Sequence, residues 1–140
     1  MAKVVIDANV IISAAFGGKP LGAVVRAMED HEVYLSEAIE RELRGVISGL
    51  SRKLSKDQVA FLEEKIRQLV SRARRVSVST DVALSRDAKD DHYLSLCKGV
   101  RADFLITGDK DLLSVSEETL KKSGISCRIL TPRDFLEVTS

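Results

Sequence analysis

At 140 residues with 44% hydrophobic content, the chain holds enough apolar material for one domain with a full core and too little length for two ordinary ones. A net charge of +1 excludes an extreme polyanion or polycation, two cysteines with no CxxC or Cys/His cluster exclude a disulfide scaffold and a zinc site, and no apolar run reaches the roughly 18 residues of a membrane span. The expectation is a single domain over residues 1–140, soluble in a reducing, cytoplasmic compartment.

The first predicted element is the strand KVVI, and the stretch VVIDANVIIS around it reads as a core strand that delivers Asp7 to its carboxyl end. A helix is predicted from Lys19-Pro20, where Pro is tolerated at the first helical position, with Leu21, Val24, Val25 and Met28 at helical spacing. Val33-Tyr34-Leu35 is a second strand. Ser36 then caps a helix whose inward stripe is Ile39, Leu43, Val46 and Ile47, with Glu40 and Glu42 on its two flanks. Ser55 and Gln58 make a capping box ahead of the stripe Val59, Leu62, Ile66, Leu69, Val70 and Ala73, and Phe61 lies off that stripe.

Val76-Ser77-Val78 predicts a third strand. In RDAKDDHYLSLC, Leu94 and Cys97 mark the buried face of a helix, and both Asp90 and Asp91 lie within one turn of Leu94. Phe104-Leu105-Ile106 is a fourth strand. Ser114 with Glu117 reads as a second capping box, for a helix ending at Lys121-Lys122-Ser123-Gly124. Cys127 to Leu130 is a fifth strand, and Thr131-Pro132 opens a final helix. Strands that alternate with helices, over links too long for hairpins, predict a parallel sheet covered on both faces.

In such a sheet ligands bind outside the carboxyl ends of the strands, near the point where strand order reverses. Asp7 follows the first strand and Asp109 the fourth, with Asp111 two residues on; if those strands are neighbours, their acids converge. Each acid taken alone has an ordinary structural use, as a helix cap, a first-turn dipole partner or a turn former. Several carboxylates in one cleft, with no cation of the chain placed to pair with them, must share protons or hold a metal ion. An all-oxygen site suits a hard cation such as Mg²⁺, and such an ion activates water for phosphodiester hydrolysis. The two histidines, His31 and His92, are not needed for that chemistry, although His92 adjoins Asp91.

The ordered pieces VVIDANVIIS, SEAIERELRGVI, RDAKDDHYLSLC and ADFLITGDKDLL together resemble the PIN-domain ribonucleases, and within them the toxin-like, VapC-related prokaryotic branch. The resemblance spans nearly the whole chain. It implies a three-layer α/β/α fold with a central parallel sheet of order 3-2-1-4-5, and a Mg²⁺- or Mn²⁺-dependent endoribonuclease that serves as the toxin of a toxin–antitoxin system. Position by position, it implies that Asp7, Glu42, Asp91 and Asp109 bind the metal, preferring Glu42 to Glu40 and Asp91 to Asp90. It also implies that Asp111 adds to the site and that Asn9 and Thr107 orient carboxylates by hydrogen bonding. Many toxin-like members form homodimers and are neutralised by a small antitoxin protein, so both are expectations here.

RNA must cross the rim of an anionic site, and the basic stretch from Arg41 to Arg75 ends in Arg72, Arg74 and Arg75, which are read as phosphate contacts. With 4% aromatic residues, base stacking is not a major source of specificity. Two other readings compete. One is a PIN-like module that binds RNA or assembles without catalysis. The other is a haloacid-dehalogenase-like phosphatase, which Asn9 opposes because that family places an acid two residues after its nucleophilic aspartate.

Overall fold

Lys3–Ile6 forms β1 at the centre of a five-stranded sheet in which every pairing is parallel, in the order β3-β2-β1-β4-β5. The computed structural model describes residues 1–78 and 90–140. Its remaining strands are β2 (Glu32–Leu35), β3 (Arg74–Arg75), β4 (Phe104–Ile106) and β5 (Arg128–Leu130). Val4, Val5 and Ile6 are fully buried, as a central strand covered on both faces requires, and this is why β1 is apolar without alternation.

The helices are α1 (Ala8–Ala14), α2 (Gly18–Asp30), α3 (Glu37–Leu50), α4 (Lys56–Leu69), α5 (Asp91–Val100), α6 (Lys110–Leu113), α7 (Glu117–Lys122) and α8 (Pro132–Val138). The chain steps outward from β1 to β2 and β3, then returns to β4 on the other side of β1. Right-handed crossovers in these opposite directions put α1 to α4 on one face and α5 on the other. Accordingly α1 packs on α2, α3 and α4, whereas α5 packs on β1 and β4. The result is the three-layer α/β/α arrangement with the strand order anticipated above, and the reversal lies between β1 and its neighbours, beside Asp7.

Three capping expectations and the placement of Phe61 hold. Ser36 caps α3 through a bond from Ile39 N–H, both arms of the Ser55–Gln58 capping box are present, and Thr131 caps α8 with Pro132 at its first turn. Phe61 stands 67% exposed, off its helix's buried stripe. Both cysteines are free and buried. No single helix among the described residues is long and apolar enough to cross a membrane.

Four local expectations are corrected. VVIDANVIIS is not one strand: Asp7 ends β1, and the apolar residues after it belong to α1, with Val10, Ile11 and Ile12 buried. The helix expected at Pro20 begins two residues earlier, at Gly18. The third strand is Arg74–Arg75 rather than Val76–Val78, because pairing with Tyr34 and Leu35 selects it over the more β-prone residues that follow. Ser114 closes α6, and α7 is capped by Ser116, whose hydroxyl accepts from Thr119 N–H. The Arg86–Lys89 part of RDAKDDHYLSLC lies outside the described residues.

Candidate metal centre

The two strand-end aspartates are also helix caps. Asp7 ends β1, where its N–H still bonds to Ile106 O at 2.9 Å, and its Oδ1 accepts the backbone N–H of Asn9 at 2.9 Å as the cap of α1. Asp109 follows β4, and its Oδ1 accepts from Asp111 N–H at 2.7 Å as the cap of α6. Each helix N-terminus therefore favours a negative charge at the place where a parallel strand ends. The two jobs are compatible: capping fixes one oxygen and leaves the other to face outward or bond elsewhere.

Thr107, fully buried, joins the two acids. Its hydroxyl donates to Asp7 Oδ2 at 2.6 Å and accepts from Asp109 N–H at 3.0 Å, a double role that a hydroxyl can fill and a methyl cannot. Thr107, for which the resemblance implied an orienting role, thus bonds to both acids. Asn9 acts differently from the expectation, since it is the backbone N–H that orients Asp7, while its side chain is exposed and borders a ≈ 320 Å³ cavity shared with Asp7, Ser13, Gly108 and Asp109.

Glu42 arrives from α3 and both of its oxygens are engaged by α5. Tyr93 donates its hydroxyl to Oε2 at 2.8 Å, and His92 Nε2 meets Oε1 at 2.5 Å. The phenol oxygen also accepts Ala8 N–H at 3.0 Å and lies 3.3 Å from Asp7 Oδ1. Glu40, the flanking alternative, turns away and pairs with Arg75 at 2.5 Å. Geometry thereby brings Glu42, and not Glu40, to Asp7. Tyr93 was not marked by the sequence: Leu94 and Cys97 defined the buried face of its helix, and nothing in the spacing of Tyr93 signalled a polar task.

Asp90 and Asp91 start α5, as its cap and first residue. One carboxylate oxygen each from Asp90, Asp109 and Asp111 lie within 4.8 Å of one another. Asp91 is not in that group. The structure thus gathers Asp109 and Asp111 as expected, joins Asp7 to Asp109 through Thr107, joins Glu42 to Asp7 through Tyr93, and brings in Asp90 where the resemblance implied Asp91.

Burial pushes the Asp7 carboxyl above its usual range, and the nearby Glu42 charge adds to this; the bonds from Thr107, Asn9 and Tyr93 oppose the shift without cancelling it. Glu42 goes the other way. Burial pushes it up, but the hydrogen bonds from His92 and Tyr93, with the His92 charge, outweigh that and hold the carboxyl low. Two neighbouring carboxyls are thereby pushed apart in acidity, Asp7 upward in pKa and Glu42 downward.

The three arginines differ in their places. Arg74 lies 3.4 Å from Glu32, and Arg75 is level with Leu35 at the carboxyl edge of the sheet, bound to Glu40. Arg72 borders a different hollow with Val25, Met28 and Glu29 from the second half of α2, toward the opposite edge.

A profile of the PIN domain matches residues 3–111. The uncharacterized protein MJ1680 of Methanocaldococcus jannaschii is 32% identical over 146 residues, an alignment covering 96% of this chain and 90% of that protein. Among solved structures, the VapBC2 complex of Rickettsia felis, crystallised on a DNA fragment from its promoter, contains a chain that superposes with a TM-score of 0.59 at 12% identity, covering 92% of this chain and 98% of that one. That last likeness is one of fold.

Proposed function

The chain belongs to the PIN-domain family, and on that premise we propose that it is a Mg²⁺- or Mn²⁺-dependent endoribonuclease, the toxin component of a toxin–antitoxin pair. The observation that carries the reading is the convergence of Asp90, Asp109 and Asp111 within 4.8 Å, beside a buried Asp7. Among the described residues neither Asp7 nor Asp109 forms an ion pair, so the donor set is rich in oxygen and anionic charge, which fits a hard divalent cation. Asp109, Asp111 and Asp90 would hold it directly, with Asp7 and Glu42 completing the anionic wall; Asp90 takes the place that the resemblance gave to Asp91. When bound, such an ion activates water and offsets the charge of the phosphodiester.

The chain's own residues do the positioning. Thr107 fixes the separation of Asp7 and Asp109, and the caps of α1 and α6 set the orientation of each carboxylate. The donors from His92 and Tyr93 favour the charged form of Glu42, whereas burial disfavours the charged form of Asp7, so the two carboxyls differ in acidity. Arg75, at the carboxyl edge, is the cation best placed to meet a phosphate of the RNA. An antitoxin partner is proposed from the fold-level likeness to a toxin–antitoxin complex, and a homodimer from the family resemblance.

The test combines cleavage with melting. With Mn²⁺ the wild type should cleave an end-labelled single-stranded RNA, and Asp109→Asn should lose about 10²-fold or more in rate. Mn²⁺ near a hundred times its Kd should also stabilise the wild type by about 2.7 kcal/mol through ligand linkage, and Asp109→Asn should blunt the shift. A wild type that neither cleaves nor gains stability from Mn²⁺ would sink the reading.

A further inference from the structure

We infer that Tyr93 and His92, consecutive residues of α5, are positioning residues that clamp the two oxygens of Glu42 and hold that carboxylate against Asp7; the catalytic consequence rests on the nuclease reading, the clamp does not. Adjacent residues of a helix point about 100° apart and ordinarily do not share a partner. Here they do. The His92 and Tyr93 rings lean together, with centroids 4.1 Å apart and planes 36° from parallel, so that Nε2 reaches Oε1 and the phenol reaches Oε2.

The phenol has one proton to give. Glu42 Oε2 at 2.8 Å takes it in preference to Asp7 Oδ1 at 3.3 Å, and the phenol oxygen is itself fixed by Ala8 N–H, the first backbone donor after Asp7. Tyr93 thereby ties α3 to the β1–α1 junction. Its ring is fully buried, so core packing, not a flexible stem, sets where the hydroxyl stands. Two like charges this near would separate if nothing held them. Fixed donors on both Glu42 oxygens keep them together and preorganise the acids before cation or RNA arrives. Filling the core would need only the ring; the clamp needs its oxygen.

Two experiments on the full chain decide this. The first needs no activity: urea unfolding of the wild type, Tyr93→Phe, Glu42→Gln and the double variant. A clamp predicts that the double variant's unfolding constant departs about fivefold or more from the product of the two single changes. Independent, multiplicative changes overturn it. In the second, with Mn²⁺ and single-stranded RNA, Tyr93→Phe should lose about tenfold or more in kcat with KM little altered. His92→Gln, whose amide nitrogen stands where Nε2 stood, should keep activity that His92→Ala loses. A Tyr93→Phe enzyme with wild-type kcat, or equal losses in the two His92 variants, overturns the proposal. A wild type that cleaves no RNA overturns the nuclease reading instead, and the unfolding cycle still decides the clamp.

Discussion

Asp7 bears opposite loads in stability and in chemistry. A carboxyl whose folded-state pKa is raised favours folding fully below its unfolded value, near 3.8, and that advantage is lost as pH rises through the folded value. Burial at 3% exposure thus disfavours the charged form of Asp7 in the folded protein. Asp7→Asn is expected to raise the Tm at pH 7 and to give no gain near pH 3. Thermal melts across that range check it, and a lower Tm for Asp7→Asn at pH 7 would refute it. Glu42 runs the other way: its pKa is lowered, so its contribution is present above the unfolded value near 4.5 and fades as pH falls. Asp7 and Asp109 were legible in the sequence because a residue type at a strand end has a place, and Thr107 was legible only through the family resemblance. Tyr93 was not, since a buried aromatic looks the same whether its hydroxyl is employed or idle.

Gly99 in α5 sets two element-scale forces against each other. Alanine is the better helix former by about 1 kcal/mol, yet a Cβ there would stand 2.5 Å from Val78 Cγ1, a short and stiff side chain. Overpacking should win, with Gly99→Ala losing about 1–2 kcal/mol. A Cβ on Gly22 in α2 would meet Leu136 Cδ1 at 3.5 Å and Cδ2 at 3.9 Å, ordinary contacts, so Gly22→Ala should gain about 0.5–1 kcal/mol. Urea midpoints of opposite sign are the expected outcome; like signs would mean that the packing of α5 has been misjudged. Elements were legible where a local signal sufficed, as at the Ser36, Ser55 and Thr131 caps. VIIS misled because a short apolar run fits a buried strand and a buried helix equally well, and because one aspartate both ends β1 and caps α1. Strand β3 was missed by two residues: at a sheet edge charged residues are welcome, and the partner strand, not propensity, sets the register.

Across the whole molecule, acids drawn from positions 7, 42, 90, 109 and 111 come to one edge of the sheet through a topology that the alternation of strands and helices made readable. Cations are a different matter, because surface charge carries no fold signal and its partners come from tertiary placement. Arg72 and Arg75, three residues apart, end near opposite edges of the sheet. Of these two, Arg75 shares the edge of Asp7, and it is 54% exposed while bound to Glu40. A half-exposed ion pair is worth about 0–1 kcal/mol, so an RNA phosphate can replace Glu40 at little cost. Each phosphate contact on a single strand contributes about 0.7 to the slope of log affinity against log salt. Arg75→Glu should therefore weaken RNA binding and flatten that slope by roughly this amount, whereas Arg72→Glu should move neither by more than a small fraction of it. Binding isotherms at several salt concentrations, with Ca²⁺ replacing Mn²⁺ to slow cleavage, make the comparison. If Arg72→Glu proves the more damaging of the two, RNA follows the other edge of the sheet, and the path assigned here past Glu40 and Arg75 is wrong.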